Sequence, residues 1–256
     1  MKPLILTLFL ALGVSTPASA AEWSSTEFQA LHGGGFREPF NPDEVAKTTF
    51  TLNNASGFGW GSSFVFLDYL KSDAKDGRAE EFYGEAYLYP SLGKLLERDL
   101  RVGPLRDVSL TLGLNWGDKS TGANPRVLLP GVTLNFDVPG FAFLDLSLLG
   151  YLDRGRFNGA KTTCNADTWQ ITPTWKRPFR LGGLSLSFEG FVDVIGAHGS
   201  CDQQVVAQPQ LRVDLGDLFG QPGRIYAGME YQYWHNKFGI NGLHEHLPQA
   251  LLVWGF

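Results

Sequence analysis

Residues 108–116, Val-Ser-Leu-Thr-Leu-Gly-Leu-Asn-Trp, put an apolar side chain at every even number and a small or polar one at every odd number. A period of two belongs to a β-strand, because successive side chains leave opposite faces of the pleat. The same texture recurs in twelve stretches, at 22–35, 44–57, 62–72, 81–91, 106–117, 126–136, 141–153, 167–176, 184–195, 205–215, 224–234 and 246–256. Most are about the 9–11 residues that a tilted strand needs to cross a bilayer. This pattern excludes a helical membrane protein, since no run of about 18 apolar residues exists to form a spanning helix.

Composition sharpens the point. With 19 Phe, 8 Tyr, 7 Trp and 31 Gly against 2 Met, the chain favours strands, turns and aromatic girdles over helices. A formal net charge of −5 without a basic patch argues against nucleic acid as a partner. At the N-terminus, Lys2, the apolar run Leu4–Val14 and Ala18-Ser19-Ala20 have the layout of a secretory leader cleaved after residue 20, leaving 21–256 as one domain.

The connections alternate in kind. Residues 57–61, 137–140, 177–183 and 216–223 are short and marked by Gly or Pro, with 92–105 a longer exception. Between them lie polar loops such as FREPFNPDE, RGRFNGAKTTCN and HNKFGINGLHE. Short turns at one end and long loops at the other describe an all-β transmembrane antiparallel barrel of the bacterial outer membrane. Alternation alone does not say which face is outside. Charges on the polar faces decide it, because a packed soluble core could not bury them unpaired. The final segment then closes the barrel against the first, with the Phe256 side chain in the interfacial lipid belt and available to the barrel-assembly machinery.

Five segments carry a family resemblance: FVFLDYLKSD (64–73), EFYGEAYLYPSLGKL (81–95), LSLSFEGFVDVIG (184–196), QPQLRVDLG (208–216) and MEYQYWHNKFGINGLHEHLPQALLVWGF (229–256). From about Thr26 onward the chain resembles the nucleoside-specific channel-forming outer membrane proteins, the Tsx family. The resemblance implies a monomeric twelve-stranded barrel that passes nucleosides by diffusion and serves as a receptor for phage or colicin.

The bore can be read from the residues as well. Taking the less apolar face of each strand as inward makes Phe64, Phe66, Asp68, Tyr83, Glu85, Tyr87, Asp145, Glu189, Phe191, Arg212, Glu230 and Trp234 the lining expected to meet a solute. Aromatic rings offer stacking to a base, and carboxylates and amides accept from ribose hydroxyls. The same residues also suit a wall that is merely polar and braced.

Catalytic readings are thinner. His32-Gly33-Gly34-Gly35 copies an esterase oxyanion motif, but no G-x-S-x-G supplies a nucleophile, so the glycines are expected to bend the first strand. His244, His246, His198 and Cys201 are too few for a closed metal site, and no cofactor is expected. His235 stands alone as a candidate base near a strand end. A lipid-acting barrel enzyme and a surface receptor or adhesin without transport remain the alternatives to a channel. Finally, Cys164 precedes the eighth strand and Cys201 follows the ninth, so the hairpin brings both to the outer rim. In an oxidising compartment they are expected to pair.

Overall fold

The computed structural model describes residues 20–256, so the expected leader lies outside it except for Ala20. Twelve antiparallel strands form one closed barrel. They are β1 (Trp23–Arg37), β2 (Glu44–Phe58), β3 (Gly61–Ser72), β4 (Glu80–Pro90), β5 (Leu105–Lys119), β6 (Arg126–Phe136), β7 (Phe143–Asp153), β8 (Asp167–Leu181), β9 (Leu184–Ile195), β10 in two pieces (Gln204–Ala207 and Gln210–Asp214), β11 (Ile225–His235) and β12 (Glu245–Gly255). Each pairs with its sequence neighbour. Closure comes from β12 against β1, in register from Glu27 opposite Gly255 to His32 opposite Ala250. Among the described residues no helix is long and apolar enough to cross a membrane.

Burial identifies the two faces. On β5, Leu110, Leu112 and Leu114 are exposed while Ser109, Thr111 and Asn115 are buried. The same holds for Phe50 and Leu52 against Thr49 and Thr51 on β2, and for Leu252 and Trp254 against Gln249 and Glu245 on β12. The apolar face is outside and the hydrophilic face is inside, the reverse of a soluble barrel. Leaving such a belt in water would forfeit about 1.5–3 kcal/mol per large side chain, so its solvent is lipid. The closed ladder leaves no unpaired strand edge in that lipid. This is an outer-membrane barrel, with the short turns and both ends of the described chain on the periplasmic side.

Three local features depart from the simple reading. β8 runs to Leu181, beyond the expected end at Lys176, and the β8–β9 turn is only Gly182–Gly183, with φ of 57° and 86°. Two successive positive φ values match the twist of a two-residue hairpin turn, and glycine adopts them without strain. β10 is broken at Gln208–Pro209, where proline has no N–H for the ladder. Opposite the break, a Cβ on Gly190 would stand 2.5 Å from the Gln208 carbonyl oxygen, so only glycine lets the backbones approach there. In the 92–105 connection, Leu92–Leu96 form a short helix capped by the Ser91 hydroxyl, which accepts from the Lys94 N–H at 3.0 Å.

At the opposite end the polar loops are tied to one another. Ala123–Asn124, Arg156–Phe157 and Ala160–Lys161 make a small sheet that joins the β5–β6 loop to the β7–β8 loop. Cys164 and Cys201 are disulfide-bonded, with 5.1 Å between their Cα atoms, as the hairpin geometry of β8 and β9 requires. The glycine run of β1 carries the expected irregularity, a register shift between Gly34 and Phe36. Phe256 donates its N–H to the Thr26 carbonyl at 2.9 Å and leaves its side chain 62% exposed, stacked on Trp254.

Candidate functional site

The twelve residues read from the sequence as lining are all buried or half-buried, on the less exposed face of their strands. On β3 and β4 they form a continuous ladder. Phe64 and Phe66 have ring centroids 6.0 Å apart, and Phe66 lies 5.9 Å from Tyr83. Tyr83 and Tyr87 both donate to Glu85, at 2.6 and 2.7 Å, so one carboxylate orients two phenols. Tyr89 stacks on Tyr87 at 5.9 Å with 8° between the planes. Strand alternation sets these positions, since residues 83, 85, 87 and 89 share one face of β4.

Across the bore the lining changes character. Arg212 on β10 donates to Glu27 at 2.9 Å and to Gln210 at 2.7 Å, and it lies 2.7 Å from Glu189. Lys176 approaches Glu189 to 2.9 Å. Glu230 accepts from Gln210 and Gln249 at 2.7 and 2.8 Å. Asp193 accepts from Gln170 and Thr172, and on the ladder's own side Asp68 of β3 accepts from Thr51 at 2.5 Å. Phe191 sits between Glu189 and Asp193 on the inner face of β9. Asp145 accepts from Asn135 at 2.9 Å.

Trp234 belongs to a different assembly, at the outer mouth. Its ring meets Phe238 edge-on at 4.7 Å, and the Lys237 ammonium lies 5.4 Å from its centroid. Lys237 pairs with Glu245 at 2.7 Å and Glu38 at 3.5 Å; Lys47 lies 2.6 Å and Lys119 2.5 Å from Glu38. Glu81 and Asp76 complete the group through Lys47 and Lys119. Glu38, Asp76 and Lys237 come from three different outer loops, so this lattice ties those loops to one another and to the strands that carry Lys47, Lys119 and Glu245. Burial works against the charge on Glu38, but the Lys237 and Lys47 ammoniums, with hydrogen bonds from Lys119 and Lys47, hold its carboxyl down at about 2.

Sequence reasoning did not find this lattice. Lys47 shares one face of β2 with Val45 and Thr49, which marks its direction, yet nothing in the order of residues says that loop residues 38, 76 and 237 turn inward. Nor is the inner wall uniformly polar. Leu31, Leu251 and Val253 form one buried apolar patch, and Val127, Leu129 and Leu149 another. Tyr89 was legible, as the next member of the β4 series.

The histidines gather elsewhere. His235 and His244 stack on the outer rim with centroids 4.4 Å apart, and His198 is buried beneath the disulfide loop with its Nε2 3.4 Å from Asp153. Hydrogen bonding to Asp153 raises the His198 pKa above its ordinary value, against the effect of burial. Among the described residues no three His, Cys, Asp or Glu side chains are grouped to hold a metal ion.

The chain matches no family model and no curated protein. Among solved structures it is similar to a KdgM porin, at 8% identity over 91% of this chain and 99% of that one, with a TM-score of 0.49. It is also similar to the translocator domain of the autotransporter NalP from Neisseria meningitidis, at 14% identity over 91% and 88% of the two chains, with a TM-score of 0.49. A third similarity is to the β domain of the Bordetella autotransporter BrkA, at 13% identity over 91% and 98%, with a TM-score of 0.41. The membrane assignment stands on the chain's own register and faces.

Proposed function

We propose that the protein is a passive outer-membrane channel selective for nucleosides or similar small polar aromatic solutes, in line with its resemblance to the Tsx family. The observation that carries this reading is the β3–β4 ladder, in which Phe64, Phe66, Tyr83 and Tyr87 present rings to the bore beside Glu85. A base can stack on such rings while its ribose donates to the carboxylate. The lining serves binding and passage, and no step of catalysis is assigned to it. The leader over residues 1–20, a monomeric state, the use of Phe256 by the assembly machinery and the use of the outer loops by phage or colicin belong to the same reading.

Single-channel recording from the reconstituted protein tests it. Added nucleoside is expected to interrupt the current. Replacing Phe64, Phe66 and Phe191 by Ala should weaken that block by about 5- to 150-fold for each ring lost, because stacking on an aromatic is worth about 1–3 kcal/mol per base. A current that no nucleoside alters would defeat the nucleoside reading.

A further inference from the structure

Of the bore carboxylates, Asp68, Glu85, Asp193 and Glu230 make no ion pair among the described residues and form one belt; Asp145, held by Asn135, is likewise unpaired. Their partners are neutral. Asp68 takes the Thr51 hydroxyl, Glu85 the two phenols of Tyr83 and Tyr87, Asp193 the Gln170 amide and the Thr172 hydroxyl, and Glu230 the amides of Gln210 and Gln249. They also lie within electrostatic range of one another, Asp68 of Glu85 and Glu230, and Asp193 of Glu85. Arg212, which faces Glu230 from β10, has its guanidinium already shared by Glu27 and Glu189.

A second observation points the same way. Gln249 is only 4% exposed; its Nε2 donates to Glu230, and its Oε1 has no donor at all. A buried carbonyl without a donor costs free energy until something supplies one. Around it, the hydroxyl and amide donors named above are already committed to the carboxylates. A cation or an N–H-bearing group entering here meets four carboxylates and a vacant acceptor, whereas an anion meets the same carboxylates with the amides and hydroxyls that hold them already engaged.

We propose that this belt makes the channel select by charge as well as by shape, passing cations and amine-bearing aromatic solutes in preference to anionic solutes of the same size. The inference deepens the channel reading and rests on it. Rings of carboxylates give cation preference to pores because they favour the permeating charge at close quarters.

Reversal potentials across a planar bilayer with a potassium chloride gradient provide the test, together with block by adenosine and by adenosine monophosphate. Potassium should permeate several-fold better than chloride, and the monophosphate should block about tenfold or more weakly than the nucleoside. The double variant Glu85→Gln with Asp193→Asn should bring the permeability ratio toward unity. Glu230→Gln alone should move it less and decides the matter if the double variant does not assemble. Asp99→Asn, on the exposed periplasmic connection, should leave it unchanged. A ratio near or below one in the native protein, equally strong block by the monophosphate, or a ratio untouched by Glu230→Gln and the double variant overturns the proposal, even if adenosine blocks normally. Cation preference without nucleoside block keeps this inference and removes the nucleoside reading. Absence of any conductance removes both.

Discussion

The outer mouth and the mid-bore belt each hold four buried or half-buried carboxylates and treat them in opposite ways. At the mouth, Glu38, Glu81, Asp76 and Glu245 each face a lysine, and Glu38 lies within 4 Å of three. In the belt, Asp68, Glu85, Asp193 and Glu230 are held by hydroxyls, phenols and amides. The first arrangement is self-satisfied. Opposite charges cancel at short range, three loops are fixed, and little potential is left over for a passing solute. The second keeps its potential unspent, because a neutral donor orients a carboxylate without cancelling its charge. Buried charge therefore closes a wall in one place and serves a permeant in the other, and the type of partner decides which.

The largest expected effect comes from breaking the mouth. Glu38→Ala leaves three buried ammoniums short of a counter-charge and should destabilise the barrel by about 3–5 kcal/mol in denaturant titrations in detergent. Asp193→Asn in the belt should cost about 1 kcal/mol or less, since only neutral hydrogen bonds are rearranged. Equal costs at both sites would erase the contrast.

Next comes the covalent brace of the same rim. Replacing Cys164 and Cys201 by Ser opens a bridge across a sequence separation of 37 residues. On the chain-entropy account this should cost about 3–4 kcal/mol. Because the bridge bonds to none of the four belt carboxylates, the potassium-to-chloride ratio should not move with it. A changed ratio would show that the rim, too, sets selectivity.

The smallest effect is the pH response of the mouth. The Glu38 carboxyl sits at about 2 in the folded protein against 4.5 for the free side chain. Its contribution is therefore complete above about pH 4.5 and fades as pH falls toward about 2. His198 runs the other way. With its pKa raised from 6.5, its contribution is complete below that value and is lost as pH climbs through the folded pKa. Melting curves of the native protein, Glu38→Gln and His198→Gln over this range should show the first difference shrinking in acid and the second in base. A Glu38 difference that vanishes already at pH 6 would contradict the lattice.

The belt was largely legible in the sequence and the mouth was not, for a physical reason. Asp68, Glu85, Asp193 and Glu230 lie within regular strands, where period-two alternation fixes the direction of every side chain once the apolar face is known. Glu38, Asp76 and Lys237 lie in loops, where no period applies and direction is set by distant partners. Glu38 meets Lys119 across 81 positions and Lys237 across 199. The missed strand features have the same origin. The break at Pro209 follows from proline chemistry, but the close approach of Gly190 depends on which strand lies opposite. Residues 177–183 read as a turn marked by Gly and Pro, whereas β8 runs on to Leu181 with Pro178 in register opposite Ser187.

The β1–β12 seam has a consequence for the order of events during folding. It sets Glu27 against Gly255 and Thr26 against Phe256, contacts that span nearly the whole described chain. Such pairings pay the greatest loop-closure entropy and reward it last, so a sheet built from them forms slowly and exposes its edges meanwhile. Until residue 256 has emerged, β1 has no partner on one side, and its backbone N–H and C=O groups are open to strands of other chains. A protein sealed in this way depends, between export and insertion, on being kept apart from its own copies.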